Sequence, residues 1–89
     1  MRKSKIIITN KLGLHLRASS KLAQLASKFP CQVYICRNEK KVNAKSVLGI
    51  TMLAAGKGCE VEIECNGEKE DLAITELLKL FQLNFYEEG

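Results

Sequence analysis

A β-branched run, Lys5-Ile6-Ile7-Ile8-Thr9, begins the patterned part of the chain and predicts a strand with Ile6 and Ile8 on one face. Asn10 to Leu14 reads as a loop, in which Gly13 can take a backbone conformation closed to other residues. From Leu16 to about Phe29 the period changes. Ala18, Leu22, Leu25, Ala26 and Phe29 recur at three- and four-residue spacings, which predicts a helix that starts near His15 and is stopped by Pro30. Gln32 to Arg37 alternates again, with Val33 and Ile35 on one face and Tyr34 and Cys36 on the other. Asn38-Glu39 is a polar turn leading to a short second arm, Lys40 to Asn43. Ser46 to Leu53 is apolar on almost every side and predicts a short helix with Ser46 as its N-cap, closed off by Gly56 and Gly58.

Glu60-Val61-Glu62-Ile63-Glu64-Cys65 alternates strictly, so Val61, Ile63 and Cys65 should face a core and three glutamates should face water. After a turn at Asn66-Gly67, Glu70 and Asp71 occupy the favourable first turn of a last helix. Leu72, Ala73, Ile74, Leu77, Leu78, Leu80 and Phe81 supply its apolar stripe, which runs to about Phe85. The order is β-α-β-β-α-β-α. Strands with one apolar face and three helices in need of cover predict an α+β open-faced sandwich: an antiparallel sheet with every helix on one side.

Composition narrows the class. The 89 residues predict a single domain spanning 1–89, with 46% apolar and 27% charged residues, as in ordinary globular chains. Cys31, Cys36, Cys59 and Cys65 form no C-x-x-C pair, and a single His completes no zinc pattern, so neither metal nor cofactor is expected. The sequence shows no signal-peptide pattern, which predicts reduced thiols and a cytoplasmic location. No apolar stretch reaches membrane-spanning length.

The net charge of +4 is unevenly spread, because residues 1–45 hold eleven Lys/Arg and one acid, Glu39, whereas residues 46–89 hold three Lys and nine acids. A basic face of this kind attracts anions. The strands lack the spaced aromatics that stack bases, so a nucleic-acid-binding module is disfavoured.

The chemistry concentrates at Gly13-Leu14-His15-Leu16-Arg17-Ala18-Ser19-Ser20. His15 falls at a helix N-terminus, where unpaired amides and the dipole gather positive potential. That field disfavours imidazolium, keeps the imidazole nucleophilic and suits the oxygens of an attached phosphoryl group. Arg17 adds a guanidinium able to grip phosphate in a bidentate manner. Nucleophile, anion site and counter-charge fall within one turn, an arrangement suited to phosphoryl transfer. Ser19 and Ser20 have no acid beside them, which argues against a Ser-His hydrolase.

These residues resemble a known family. Gly13-Leu14-His15-Leu16-Arg17-Ala18 is similar to the G-L-H-A-R-P motif of HPr, the histidine-containing phosphocarriers of the bacterial phosphotransferase system, and Lys45-Ser46-Val47-Leu48-Gly49-Ile50 resembles that family's regulatory serine segment. The resemblance extends from Ile6 to about Phe85. It implies a four-stranded antiparallel sheet covered by three helices, and a carrier that is itself modified and restored rather than a turnover enzyme.

On this reading His15 accepts phosphate from phosphorylated enzyme I and passes it to enzyme IIA domains, Arg17 contacts the phosphate, and Ser46 is the site of an HPr kinase/phosphorylase. Leu16, Ser20, Val47, Leu48 and Thr51 are the expected docking residues, on a monomer. Ser46 can equally be a plain cap, and Val47 and Leu48 plain core. An alternative role is that of a nitrogen-type regulatory paralogue, phosphorylated in the same way but without sugar transport. Two positions depart from the motif: Ala18 replaces Pro and Leu16 replaces Ala, which implies altered partner preference with the chemistry retained.

Overall fold

The computed structural model describes residues 1–87. Its elements are β1 (Arg2–Ile7), α1 (Leu16–Ala26), β2 (Gln32–Arg37), β3 (Lys40–Asn43), α2 (Val47–Met52), β4 (Glu60–Asn66) and α3 (Glu70–Gln82). The strands form one sheet in the order β1-β4-β2-β3, and every neighbouring pair is antiparallel. The last strand therefore slots between the first two, and the sheet is closed by contacts distant in sequence. The alternating positions do the sorting. Ile8, Val33, Ile35, Val61, Ile63 and Cys65 are buried against Ala18, Leu22 and Ala26 of α1, Ile50 of α2, and Ala73, Leu77, Leu80 and Phe81 of α3. Cys31 and Cys65 lie within this core, and all four cysteines are free thiols. Burial pushes the Cys65 thiol up to about 12, as does its hydrogen-bonding neighbour Cys31, so it stays protonated. No helix of the described residues is long and apolar enough to cross a membrane.

Several expectations need correction, beginning with β1, which spans Arg2–Ile7 rather than residues 5–9 because its pairing with β4 runs from Arg2 opposite Cys65 to Ile7 opposite Glu60. Helix α1 ends at Ala26 rather than near Phe29, because Pro30 forces Phe29 out of the α region. The last residues instead close tighter turns, Lys28 N to Leu25 O at 3.1 Å and Phe29 N to Ala26 O at 3.2 Å. Leu72 is exposed, since the inward stripe of α3 runs through residues 73, 74, 77, 80 and 81 and leaves Leu72 on its flank.

Helix α3 stops at Gln82, and Asn84, Phe85 and Tyr86 then turn with positive φ angles of 54°, 56° and 61°. The last correction concerns Glu64, which is expected in water but only 5% exposed. On the sheet face away from the helices, Lys41 reaches it from β3 at 2.9 Å and Lys3 from β1 at 3.7 Å. Lys41 also lies 4.5 Å from the centroid of the Tyr34 ring.

This cross-strand cluster makes stability depend on pH. The Lys41 hydrogen bond holds the Glu64 carboxyl below its ordinary value of 4.5, burial opposes this, and the charges of Lys41 and Lys3 reinforce it. A depressed folded-state pKa contributes stability that is complete above the unfolded value and is lost as pH falls through the folded one. Glu64→Gln is expected to lower Tm at pH 7 and to leave it unchanged near pH 2, which thermal melts at the two pH values check.

Candidate functional site

The loop that delivers His15 is built by Asn10 and Gly13. The Asn10 side-chain amide, almost fully buried, donates to Gly13 O at 2.8 Å, while Leu14 N donates to Ala55 O at 2.9 Å. Gly13 has φ +66°, and a Cβ there would come within 2.6 Å of both Ala55 O and Gly56 Cα, so only glycine fits. The chain then enters α1 with His15 as the N-cap residue in extended conformation (φ −73°, ψ 179°). Its Nδ1 accepts the amide of Arg17 at 3.3 Å, a ring nitrogen doing what a Ser or Asp oxygen usually does. Ala18, in place of the motif's proline, sustains the first turn, since the helix begins at Leu16 as expected. Ser19 is fully buried and donates to Leu14 O at 3.1 Å, which removes it as a nucleophile.

The other ring nitrogen meets a residue that pattern reading did not single out. Glu87, beyond the left-handed turn, places a carboxylate oxygen 3.2 Å from His15 Nε2. The same oxygen accepts a short hydrogen bond from the Asn10 side chain. Burial pushes the Glu87 carboxyl up, but hydrogen bonds from Asn10 and His15, the His15 charge and the Leu12 amide together hold it below the ordinary range. It is therefore ionised at neutral pH and can only accept.

Two contacts then fix the tautomer. The carboxylate requires a proton on Nε2, and the Arg17 amide requires a lone pair on Nδ1. Glu87 also adds a carboxylate that opposes the positive field of the helix end at the ring. No sequence signal marks it: it is one acid in a polar tail.

Arg17 lines the cleft around His15 together with Leu12, Lys21, Tyr86 and Glu87. Leu16 and Ser20 line an adjoining depression that shares Leu12, His15 and Arg17 with this cleft, and Leu16 is 68% exposed. The second group of expected residues lies on α2, which packs against α1. Ser46 caps that helix, its Oγ accepting Gly49 N at 3.0 Å. The neighbouring Lys45 ammonium donates to Phe29 O at 2.8 Å.

Leu48 is 71% exposed, whereas Val47 is partly buried against the core, so the two divide between the docking and packing readings. Thr51 is half-buried and donates to the Val47 and Leu48 carbonyls of its own helix. Leu12 and Met52 are further exposed apolar side chains, one in the His15 loop and one on α2, that pattern reading passed over.

Comparison with known proteins agrees with this geometry. Residues 2–82 match the family described as the PTS HPr component phosphorylation site. The chain is 45% identical over 89 residues to the phosphocarrier protein HPr of Neisseria meningitidis serogroup A, covering 100% of this chain and 99% of that one. It is 43% identical over 82 residues to the phosphocarrier protein NPr of Shewanella violacea, covering 92% and 90% of the two chains. The crystal structure of HPr-C-His from Thermoanaerobacter tengcongensis superposes with a TM-score of 0.95 at 40% identity, with both chains covered completely. A helix-capping histidine preceded by a glycine that nothing else can replace, in this sheet order and with these relatives, places the chain in the HPr family of phosphotransferase-system phosphocarriers.

Proposed function

We propose that this chain carries a phosphoryl group on Nδ1 of His15, taking it from phosphorylated enzyme I and giving it to enzyme IIA domains. The observation that carries the reading is the division of the ring: Nδ1 faces an amide of the helix start and Nε2 faces a carboxylate. A phosphoryl dianion is repelled from the Glu87 side and drawn to the amides at the helix start on the other, with the Arg17 side chain at the edge of the cleft able to reach its oxygens.

In the loading step the Nδ1 lone pair gives up its long 3.3 Å contact with the Arg17 amide and forms the new N–P bond, while the donor's bond to phosphorus breaks, its electron pair staying with the donor and the freed amide turning to a phosphoryl oxygen. The ring keeps its Nε2 proton throughout. In the unloading step a nucleophile of the IIA domain attacks phosphorus, and the N–P electrons return to Nδ1. Positioning and electrostatics are all the protein must supply.

Leu12, Leu16, Leu48 and Met52 give partners an apolar surface around the site, with Ser20 and Arg17 at its polar edge. Incubation with enzyme I and phosphoenolpyruvate is expected to give a phosphorus NMR signal of phosphohistidine that acid abolishes. A silent spectrum would refute the carrier reading. Passing the loaded chain to sugar-type and nitrogen-type IIA proteins separates transport from the regulatory role that similarity to NPr also fits.

Ser46 is proposed as a regulatory phosphorylation site that works at the docking surface. A phosphate on an N-cap adds negative charge where a helix end accepts it, so the helix should persist. The change falls instead on partners that must approach the adjoining Leu48. Ser46→Asp is expected to keep Tm within ~2 °C of the parent, since Asp caps as well as Ser, and to slow loading by enzyme I about tenfold, as like-charge repulsion in a docking surface implies. Rapid-quench loading assays beside thermal melts check both.

A further inference from the structure

The turn beyond α3 adds only the Phe85 ring to the core, yet the chain holds this turn in an unfavourable conformation. Asn84, Phe85 and Tyr86 are all left-handed, a region that side chains with a Cβ rarely occupy in succession. The turn is pinned from several directions. Phe85 is fully buried and meets the Phe81 ring edge-on at 4.8 Å. Lys21 donates to Phe85 O at 2.7 Å, and Thr9 hydrogen-bonds Asn84. The outcome of this pinning is the position of Glu87, clamped between Asn10 and His15.

Building on the carrier reading above, we propose that Glu87 is a positioning residue that sets the lability of the phosphohistidine as well as the nucleophilicity of the free ring. In the free form it holds the proton on Nε2 and leaves the Nδ1 lone pair to attack. Once Nδ1 carries phosphate, the ring can ionise only at Nε2, and the protonated ring is the better leaving group: when N–P cleaves, its electron pair neutralises a cation instead of creating an anion. A carboxylate accepting from Nε2–H favours that protonated form.

The surroundings make Glu87 the group that tips this balance. Arg17, Lys21 and Tyr86 line the cleft on the ring side, and Lys11 and Lys57 flank the far side of Glu87. The cations among them all disfavour a cationic ring. Glu87 is the one carboxylate lining either cleft among the described residues.

The test compares Glu87→Ala and Glu87→Gln with the parent. Nitrogen-15 NMR of the unphosphorylated, neutral ring reads the tautomer directly and requires no phosphate, so it stands even if the carrier reading fails. The parent is expected to show Nε2–H dominant, Gln to keep that pattern through its carbonyl, and Ala to show a mixture of tautomers.

In the phosphorylated chains, loss of the charge in either variant is expected to slow spontaneous hydrolysis at neutral pH by on the order of tenfold, the scale of one charge-assisted hydrogen bond. It should also move the fall-off of hydrolysis with rising pH to lower pH. Ring nitrogen shifts and hydrolysis profiles that match the parent in both variants would overturn the proposal. So would unequal hydrolysis in the opposite sense, with the variants more labile.

Discussion

Replacing His15 with Ala is expected to abolish phosphoryl acceptance outright while leaving the fold in place. The geometry offers no activated substitute: Ser19 is buried and committed to Leu14 O, Ser20 beside the site loses the neighbouring imidazole that could take its proton, and Ser46 caps a different helix. Arg17 and the first-turn amides would remain, but they bind phosphate without forming a bond to phosphorus. The structural cost is that of a lost N-cap, about 1 kcal/mol. At this chain length that lowers Tm by roughly 4–8 °C. Glu87 loses one partner but keeps Asn10 and the Leu12 amide, so its carboxylate is not stranded. Acid-labile phosphate assayed after enzyme I and phosphoenolpyruvate, beside a thermal melt, separates the two effects. Residual acid-labile phosphate in a folded His15→Ala chain would mean that the acceptor lies elsewhere.

The distance between sequence and structure is uneven, and the reason differs by element. β4 is readable from its alternation alone because both neighbours in the sheet impose period two on it. The His15 loop and the Ser46 cap are readable because each rests on a local rule: a glycine where φ must be positive, and a hydroxyl before an apolar run. Glu64 misleads for the opposite reason. Its alternation correctly assigns it to the face away from the helices, but lysines from two other strands close over it, and no local pattern announces a partner across β2. Glu87 lies further still from local rules. Its contact with His15 spans 72 residues and depends on a turn whose backbone conformation suits Asn84 but opposes the intrinsic preference of Phe85 and Tyr86. Propensity argues for continuing α3 through Phe85, and tertiary packing overrides it.

That override rests on Phe85, and its removal carries the second large effect. The ring is 1% exposed and packs edge-on against Phe81, so Phe85→Ala is expected to cost about 3–5 kcal/mol in lost burial and residual cavity. This corresponds to a Tm lower by roughly 12 °C or more. The backbone makes the loss more than local. Of three consecutive left-handed residues, Asn84 bears this conformation easily, while Phe85 and Tyr86 store about 1–2 kcal/mol each, a strain that persists only while burial of the ring outweighs it.

Without the ring, the turn is expected to relax and withdraw Glu87 from the His15 ring. Phe85→Ala should therefore reproduce the mixed ring tautomers of Glu87→Ala although it removes no group hydrogen-bonded to His15 or Glu87. Phe85→Leu keeps most of the apolar volume and should restore both Tm and the ring signal in large part. If release of strain instead compensates the lost burial, Phe85→Ala will melt within about 5 °C of the parent, and Phe85 cannot then be what holds the acid against the histidine.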